Sequence, residues 1–155
     1  MTERLGDEMP TELVEHLAGG KIVVVATVGE DGWPYTMIMN WALARGPKTL
    51  RLSLDRRTQT LRNIRANGRV MLEALGDGLV YGVRGTARVI VEEMRHAPVP
   101  SAMVEVAVEM VKRDLVPGVE FEGPKFRWGA LEPVMGPADV LGLSELREYE
   151  VVRAK

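Results

Sequence analysis

Hydrophobic positions along this chain recur with two spacings, and each spacing predicts one kind of element. Alternation of apolar and polar residues, clearest in TLRLSL at 49–54, is typical of a strand with one buried face. Spacings of three and four residues, as for Leu13 and Leu17, are typical of one helical face. Glycine, proline and Asp-Gly pairs separate these segments and predict the turns. The predicted strands cover residues 21–28, 33–43, 49–54, 69–75, 79–91 and 125–132, and the predicted helices cover residues 11–18, 58–66 and 99–115.

The order of these elements predicts a mainly β fold with inserted helices (α+β), in the form of an antiparallel barrel. Consecutive strands are joined by hairpin turns such as 29–32, and the helices do not alternate regularly with the strands. Glycines at 82 and 85 lie inside the predicted strand 79–91 and predict a bulge or a close backbone approach. A length of 155 residues fits one domain. We divide it into an N-terminal helix (1–20), a barrel core (21–95) and a part with a helix, the last strand and a tail (96–155).

Composition excludes several classes of function. The chain has no cysteine, which rules out zinc-thiolate sites, iron–sulfur clusters and thiol nucleophiles, and its two histidines are far apart, so we expect no metal site. A net charge of −2 without any run of five basic residues argues against nucleic-acid binding. No apolar run approaches the ~20 residues of a membrane span. The acidic, polar N-terminus does not resemble a signal peptide. We therefore expect a cytoplasmic protein that binds neither nucleic acid nor membranes.

One candidate site is the end of a strand followed by a short helix, SLDRRTQTLRNIRANG at 53–68. Arg56 and Arg57 precede a predicted helix whose first turn contains Thr58 and Thr60. Backbone N–H groups at a helix start, hydroxyls and guanidinium groups together suit a phosphate dianion. The alternative is a solvated helix start with an ordinary threonine cap, and the local pattern alone favours that alternative.

The second candidate site is the returning strand of the first hairpin. Met37, Met39 and Trp41 beside Asn40 would line a flat apolar pocket in which a polar group orients a ring. The alternative is core packing with a hydrogen-bonded asparagine, which the pattern alone again favours. The glycines match no nucleotide-binding motif, the serines form no nucleophile elbow and the carboxylates are scattered. The catalytic residues, if any, are therefore unknown.

In their joint order, these segments resemble the pyridoxamine 5′-phosphate oxidase-like, FMN-binding split β-barrel flavoproteins, especially the small stand-alone FMN-binding proteins. The matching segments are ATVGEDGWPYTMIMNWAL, TLRLSLDRRTQTLRNIRANGRVMLEAL and LVYGVRGTARVI, within roughly residues 12–91. The resemblance implies a homodimer with non-covalent FMN at the subunit interface. It also implies a flavin-dependent oxidoreductase that acts on a small molecule, with an electron donor such as NAD(P)H. The alternatives are a non-catalytic FMN-binding or electron-carrying module, or a barrel that has lost FMN and binds another ligand such as a deazaflavin.

The resemblance also implies which residues hold the cofactor. The returning strand would contact the ring and ribityl chain, and the helix start would hold the phosphate. The family's Ser-Arg-Lys-like triplet corresponds to 58–60, which is Thr-Gln-Thr here, and Met37 stands where many members carry arginine. The triplet lacks both of its cations and Met37 replaces a third, so Arg56, Arg57 or Arg62 would have to compensate. The implied FMN-binding residues are Thr36, Met37, Ile38, Met39, Asn40, Trp41, Ser53, Arg56, Arg57, Thr58 and Thr60.

Overall fold

A computed structural model describes residues 2–152, most of which belong to one antiparallel β-sheet and three α-helices. The strands are β1 (Glu3–Gly6), β2 (Val23–Val28), β3 (Pro34–Met39), β4 (Ala42–Gly46), β5 (Thr49–Asp55), β6 (Arg69–Gly76), β7 (Leu79–Val91) and β8 (Ser101–Arg113). The helices are α1 (Thr11–His16), α2 (Gln59–Asn67) and α3 (Glu132–Glu148), and a 3₁₀ turn (Gly129–Leu131) precedes α3.

The strand order makes this sheet a split barrel. Neighbouring strands pair in the order β3-β2-β6-β7-β8-β5-β4, and β1 pairs with β8. The strands at the two ends of this order, β3 and β4, are separated in the chain only by Asn40 and Trp41. The sheet therefore curls until its two end strands meet at this bend, and they are not paired with each other. The predicted antiparallel split barrel is confirmed, although the predicted strand 33–43 is interrupted at the bend.

The inner face of the sheet forms the hydrophobic core. On β2, Val23 and Val25 are fully buried, whereas Val24 and Ala26 point to the opposite face and are half-buried. The continuous apolar run KIVVVATV at 21–28 predicts a strand buried on both faces, and this prediction is wrong, because only the inner face is completely covered. Each fully buried valine contributes roughly 1.5–3 kcal/mol to folding, so this alternation fixes the strand's register.

The start and end of α2 follow the local chemistry of the sequence. The Thr58 hydroxyl accepts a hydrogen bond from the backbone N–H of Leu61 (3.3 Å) and donates one to the Asp55 carbonyl (2.8 Å). Gly68 ends the helix in the left-handed conformation, with φ of +69°. Thr58 is therefore the N-cap of α2. Thr11 is the residue that local sequence predicts as the N-cap of α1, and this prediction is wrong, because Pro10 holds the cap position and Thr11 is the first helical residue.

The glycine prediction for β7 is confirmed. The pairing of β7 with β8 shifts register between Arg84 and Gly85, as at a β-bulge. A Cβ atom at Gly85 would lie 2.3 Å from the carbonyl oxygen of Ala107, and one at Gly82 would lie 2.5 Å from the side chain of Lys112. Glycine at 85 therefore allows the close approach of the two backbones, and glycine at 82 leaves room for the Lys112 side chain.

The predicted helix at 99–115 is wrong, because residues 101–113 form β8, which pairs with β1, β5 and β7. The segment SAMVEVAVEMVKR fits both spacings. Its four valines favour a strand, and β8 joins the two halves of the sheet, which no helix would do. The helical set of apolar positions is 103, 106, 107, 110 and 111, and the alternating set is 102, 104, 106 and 108.

The predicted strand at 125–132 and the tail after it are also wrong. Residues 114–128 contain neither helix nor strand, and α3 occupies most of the predicted tail. Pro133 lies in the first turn of α3, where a missing N–H costs little. Pro137 lies inside the helix. Prolines and glycines inside a helix look like turn signals in the sequence, which explains the error.

Candidate functional site

The structure distributes the predicted cofactor-binding residues over three environments. Strand pairing sets Met37 and Met39 opposite Val25 and Val23 on the inner face, and it sets Ile38 opposite Val24 on the other face. Any ligand on one side of β3 therefore contacts only alternate residues of 36–39. Met39, Trp41, Ser53 and Thr60 are buried, Met37, Asn40 and Thr58 are half-buried, and Thr36, Ile38, Arg56 and Arg57 are exposed.

Three of these residues carry a buried polar atom that has no hydrogen-bond partner within residues 2–152. The atoms are Nδ2 of Asn40, Oγ of Ser53 and Oγ1 of Thr60. A buried polar group without a partner costs about 1–3 kcal/mol, and such groups are uncommon in folded proteins. In contrast, the buried hydroxyl of Thr27 accepts a hydrogen bond from Nδ2 of Asn63 (3.0 Å). The amide of Asn40 and the hydroxyls of Ser53 and Thr60 therefore fit a ligand that offers them polar atoms.

These three residues belong to segments that meet around the end of β5. The backbone N–H of Ser53 donates to the carbonyl of Trp41 (3.0 Å), so the bend at Asn40 lies beside the last residues of β5. Thr60 is in the first turn of α2, which begins shortly after β5 ends. The side chain of Ser53 is on the same face of β5 as Arg51, the face opposite the core leucines.

The three arginines around the start of α2 differ in their charge partners. Arg57 donates to both carboxylate oxygens of Asp55 (3.0 and 2.7 Å), and these hydrogen bonds lower the pKa of Asp55. Nη1 of Arg56 lies 3.5 Å from the carboxylate of Glu93. Arg62 donates only to neutral oxygens, and it has no ion pair among the described residues. Arg62 therefore carries a positive charge that no carboxylate of the described residues contacts, although Glu30 and Asp31 line the same cleft.

A cleft of about 480 Å³ adjoins this part of α2. It lies between the hairpin turn, at 29–31 and 33–35, and the exposed side of the helix, where Arg62 contributes to its wall. None of the eleven residues predicted to bind the cofactor lines this cleft. Sequence reasoning considered Arg62 only as compensation for the missing cations. Its distinguishing feature, the absence of a carboxylate partner, is visible only in the folded chain.

Trp41 is covered by α3. A Cβ atom at Gly142 would lie 3.3 Å from the Trp41 ring, so the helix rests directly on the indole. The indole N–H of Trp41 donates to one carboxylate oxygen of Asp139, and the indole N–H of Trp128 donates to the other (2.8 Å). Asp139 therefore joins α3, the segment before it and the bend between β3 and β4. Sequence reasoning missed Asp139 because no helix was predicted there.

The outward side of the sheet carries an apolar surface, which we call the outer face. Its apolar residues are Val24, Ala26, Ile38, Met71 and Met110, and the polar residues Thr36 and Arg84 lie among them. Ile38 is 69% exposed, and the other four apolar residues are half-buried. Val23 and Val25, by contrast, belong to the core.

Beside the outer face lies a group of two carboxylates and one ammonium. Nζ of Lys112 contacts Asp114 and lies 4.0 Å from Glu73. Burial and a hydrogen bond with Asp114 raise the pKa of Glu73 to about 7, against the opposing charge of Lys112. Glu73 therefore changes its charge near neutral pH, next to an apolar surface.

Comparison with known proteins identifies the family. Residues 9–131 match the family model described as pyridoxamine 5′-phosphate oxidase. The chain belongs to the pyridoxamine 5′-phosphate oxidase family. The match ends at Leu131, immediately before α3, so Asp139 and the contact of Gly142 with Trp41 depend on a helix outside the matched region. No curated protein matches the chain.

Solved structures share the fold with low sequence identity. HupZ from Group A Streptococcus superposes with a TM-score of 0.59 at 23% identity, covering 74% of this chain and 100% of HupZ. An F420 reductase superposes with a TM-score of 0.53 at 21% identity, covering 66% of this chain and 95% of the reductase. An FAD-binding protein from Mesorhizobium loti superposes with a TM-score of 0.54 at 14% identity, covering 74% of this chain and 99% of that protein. At these identities the likeness establishes the fold alone.

Within residues 2–152, no helix is long and apolar enough to cross a membrane. Over the same residues, no three histidine, aspartate or glutamate side chains are grouped to hold a metal ion.

Proposed function

We propose that this protein binds FMN non-covalently as a homodimer and acts as a flavin-dependent oxidoreductase on a small molecule. The observation that carries the proposal is the set of buried polar atoms without partners on Asn40, Ser53 and Thr60. All three are residues that the family resemblance assigns to the cofactor. Core packing alone gives no reason for polar atoms without partners at these positions.

The chain's own residues would bind and orient the cofactor. The amide of Asn40 and the hydroxyls of Ser53 and Thr60 offer neutral hydrogen bonds, and Arg62 supplies the positive charge for the phosphate. A bound flavin supplies hydride and electron transfer, which no side chain of this protein provides. Support for a flavin also comes from two proteins of this fold, the F420 reductase and the FAD-binding protein.

The outer face supports the homodimer part of the proposal. A second copy seated on it would cover Ile38, which is 69% exposed and lies beside Val24 in the sheet. Exposed apolar patches of this kind are typical of protein interfaces. Ile38→Asp is expected to give a monomer in sedimentation experiments. A dimer that persists in this variant would contradict the use of the outer face.

The first experiment identifies the cofactor. The purified protein is titrated separately with FMN, riboflavin and F420, and binding is followed by fluorescence quenching. FMN binding tighter than F420 binding supports the proposal. Tight F420 binding with weak FMN binding favours the deazaflavin alternative, which the neutral Thr60 at an expected cation position also favours. If neither binds, the cofactor proposal is wrong.

The second experiment separates a cofactor role from a structural one. Thr60→Val and Ser53→Ala remove buried hydroxyls that have no partner, so we expect unchanged or higher melting temperatures and about tenfold weaker FMN binding. The matched control is Thr27→Val, which removes a hydroxyl that Asn63 uses. The control should lower the melting temperature and leave FMN affinity unchanged. Unchanged FMN affinity in both test variants would remove these residues from the site.

The third experiment separates an enzyme from an electron carrier. The protein loaded with FMN is mixed with NADH or NADPH without oxygen, and the flavin absorbance is recorded. Bleaching followed by repeated turnover with an acceptor supports the oxidoreductase. Bleaching by a chemical reductant only, with no turnover from either nucleotide, favours the carrier.

A further inference from the structure

A second cleft, of about 500 Å³, lies beside the residues that precede β2 and contains none of the residues assigned to the cofactor. Its walls are residues 20–22, which lead into β2, and residues 124–127, which we call the strap. Since Val23 pairs with Met39, Ile22 enters the sheet beside the end of β3. The cleft is within the size range of small-molecule sites.

The strap is fixed at both of its ends. Before it, Gly123 donates its N–H to a carboxylate oxygen of Asp77 (2.8 Å), and a Cβ atom at Gly123 would lie 2.7 Å from Gly76. After it, Trp128 is held by its indole hydrogen bond to Asp139 (2.8 Å). The residues between these anchors are therefore positioned over the cleft without a helix or strand of their own.

All of the charged side chains that line this cleft are positive. Lys21, Lys125 and Arg127 line it, and no carboxylate does. Within residues 2–152 none of the three takes part in an ion pair, and the carboxylate of Asp77 accepts the N–H of Gly123. Glu132 lines a neighbouring depression, which shares Phe126 and Arg127 with this cleft. Three cations without partners at one concave surface make a site for negative charge.

The cleft also has an apolar wall. Ile22 and Phe126 line it, and the Phe126 ring packs edge-on against Trp128 with centroids 5.1 Å apart. This contact holds the ring in place, so that it presents a preformed surface to a flat ligand. Three cations alone would bind an inorganic anion. A fixed aromatic ring beside them favours a ligand that has both an anionic group and an apolar ring.

We propose that this cleft binds a small organic anion, in which a phosphate, carboxylate or sulfonate group is joined to a flat apolar ring. The two lysines and Arg127 would contact the anionic group, and Phe126 with Ile22 would contact the ring. Charge-assisted hydrogen bonds from ammonium and guanidinium groups supply the affinity for the anion. The proposal does not depend on the presence of a flavin elsewhere in the molecule.

The probe for this site is anilinonaphthalene sulfonate (ANS), which joins a sulfonate to aromatic rings and fluoresces when bound. The test variant is Lys125→Gln/Arg127→Gln. The control is Arg4→Gln/Arg95→Gln, which removes two exposed arginines that have no ion pair within residues 2–152 and lie outside the cleft. We expect the test variant to bind ANS at least about tenfold more weakly and the control to bind it as the parent does.

Two further readouts distinguish this cleft from other apolar surfaces. The neutral analogue N-phenylnaphthylamine should be insensitive to loss of the cations, but its binding should weaken in Phe126→Ala. In two-dimensional NMR spectra, ANS should shift the indole N–H signal of Trp128 and not that of Trp33, which is exposed at the distant hairpin turn. The signals are assigned with Trp128→Phe and Trp33→Phe.

The outcomes decide the proposal independently of the proposed function. Equal ANS affinity in the test and control variants, or an unshifted Trp128 signal, would overturn it. FMN is titrated in parallel, and its affinity should be the same in parent and test variant. If FMN affinity falls as much as ANS affinity, the cleft belongs to the flavin site and the separate site does not exist. Failure of FMN to bind at all leaves the ANS results unaffected.

Discussion

We predict that the free energy of unfolding of the parent falls as the pH rises through neutrality, and that Glu73→Gln removes this decrease. The Glu73 carboxyl lies beside Lys112 and Asp114, and 29% of its side chain is exposed. Burial and the hydrogen bond with Asp114 raise its pKa from 4.5 to about 7. Near pH 8 the folded chain therefore carries a half-buried negative charge next to a second carboxylate, with one ammonium between them.

The sign of the effect follows from the direction of this pKa shift. A carboxyl whose pKa is higher in the folded than in the unfolded chain favours folding while it is protonated. The contribution of Glu73 is complete below pH 4.5 and is lost as the pH rises through about 7. A pKa difference of this size corresponds to about 3.4 kcal/mol without screening. Solvent contact reduces the value, and we expect about 1–2 kcal/mol.

The assay is urea unfolding of the parent and Glu73→Gln at pH 4 and pH 8.5. Glutamine resembles the protonated carboxyl, so the two proteins should have nearly equal free energies of unfolding at pH 4, below the pKa of this carboxyl in either state. At pH 8.5 the variant should be more stable by about 1–2 kcal/mol. Other carboxyls, such as Asp55 beside Arg57, have lowered pKa values and destabilise both proteins in acid equally, so they cancel in the difference.

The control is Glu30→Gln, a change of the same charge at an exposed position in the hairpin turn. It should alter the stability difference between the two pH values by less than about 0.5 kcal/mol. A stabilisation by Glu73→Gln that is the same at pH 4 and pH 8.5 would refute the titration argument. A variant that is less stable than the parent at pH 8.5 would show that the ionised carboxylate is favourable where it lies.

Three further substitutions test the packing around the bend and the sheet. Arg51→Met should lower the free energy of unfolding by about 3–5 kcal/mol in urea titrations, because Arg51 is 2% exposed and donates twice to Glu105 (3.2 and 3.0 Å). Gly85→Ala should cost about 1–3 kcal/mol in the same assay, because its Cβ would lie 2.3 Å from the carbonyl oxygen of Ala107. Asp139→Asn should cost about 1–3 kcal/mol and speed hydrogen exchange in α3 while the barrel strands stay protected, because one of two indoles loses its acceptor.

Each of these predictions has a result that contradicts it. Arg147 is the matched control for Arg51. Each arginine donates a hydrogen bond to a backbone carbonyl, but Arg147 is exposed. Equal losses in Arg147→Met and Arg51→Met would mean that burial of the charge is unimportant. Parent-like stability of Gly85→Ala would mean that the strands can separate there at no cost. Parent-like exchange of α3 in Asp139→Asn would mean that other contacts hold this helix.

The strands and turns between residues 21 and 91 are predictable because their signals are local. The end of α2 at Gly68 and the turns of the hairpins depend on residues that are neighbours in the chain. The bend at Asn40 and Trp41 is not local. It arises because β3 pairs with β2 and β4 pairs with β5, at the two ends of the strand order, and no window of sequence contains that pairing.

The C-terminal part is unpredictable for a different reason. In β8, valine at every second position and apolar residues at helical spacing coexist, so periodicity gives two answers and only the pairing with β5 and β7 decides between them. In α3, the proline at 137 and the glycine at 142 contradict a helix locally. Gly142 has a tertiary reason, since a larger residue would meet the Trp41 ring.

The buried first turn of α2 changes where the phosphate of the cofactor should lie. Thr60 is fully buried, so a lysine there, as the family pattern expects, would place an ammonium group in the core at a cost of several kcal/mol. The positive charge of this region is instead on Arg62, which is exposed and lacks a carboxylate partner among the described residues. We therefore expect Arg62→Gln to weaken FMN about tenfold and to leave riboflavin unchanged.

The same reasoning gives Thr60 a different role from that of the arginines near this turn. Thr60→Val should weaken FMN and riboflavin equally, because a buried hydroxyl would serve the part that both ligands share. Arg57→Gln is the control for Arg62→Gln, since Asp55 already balances the charge of Arg57 (2.7 Å), and it should change the ratio of FMN to riboflavin affinity little. An FMN-specific loss in Thr60→Val but not in Arg62→Gln would place the phosphate at the buried turn and contradict this assignment.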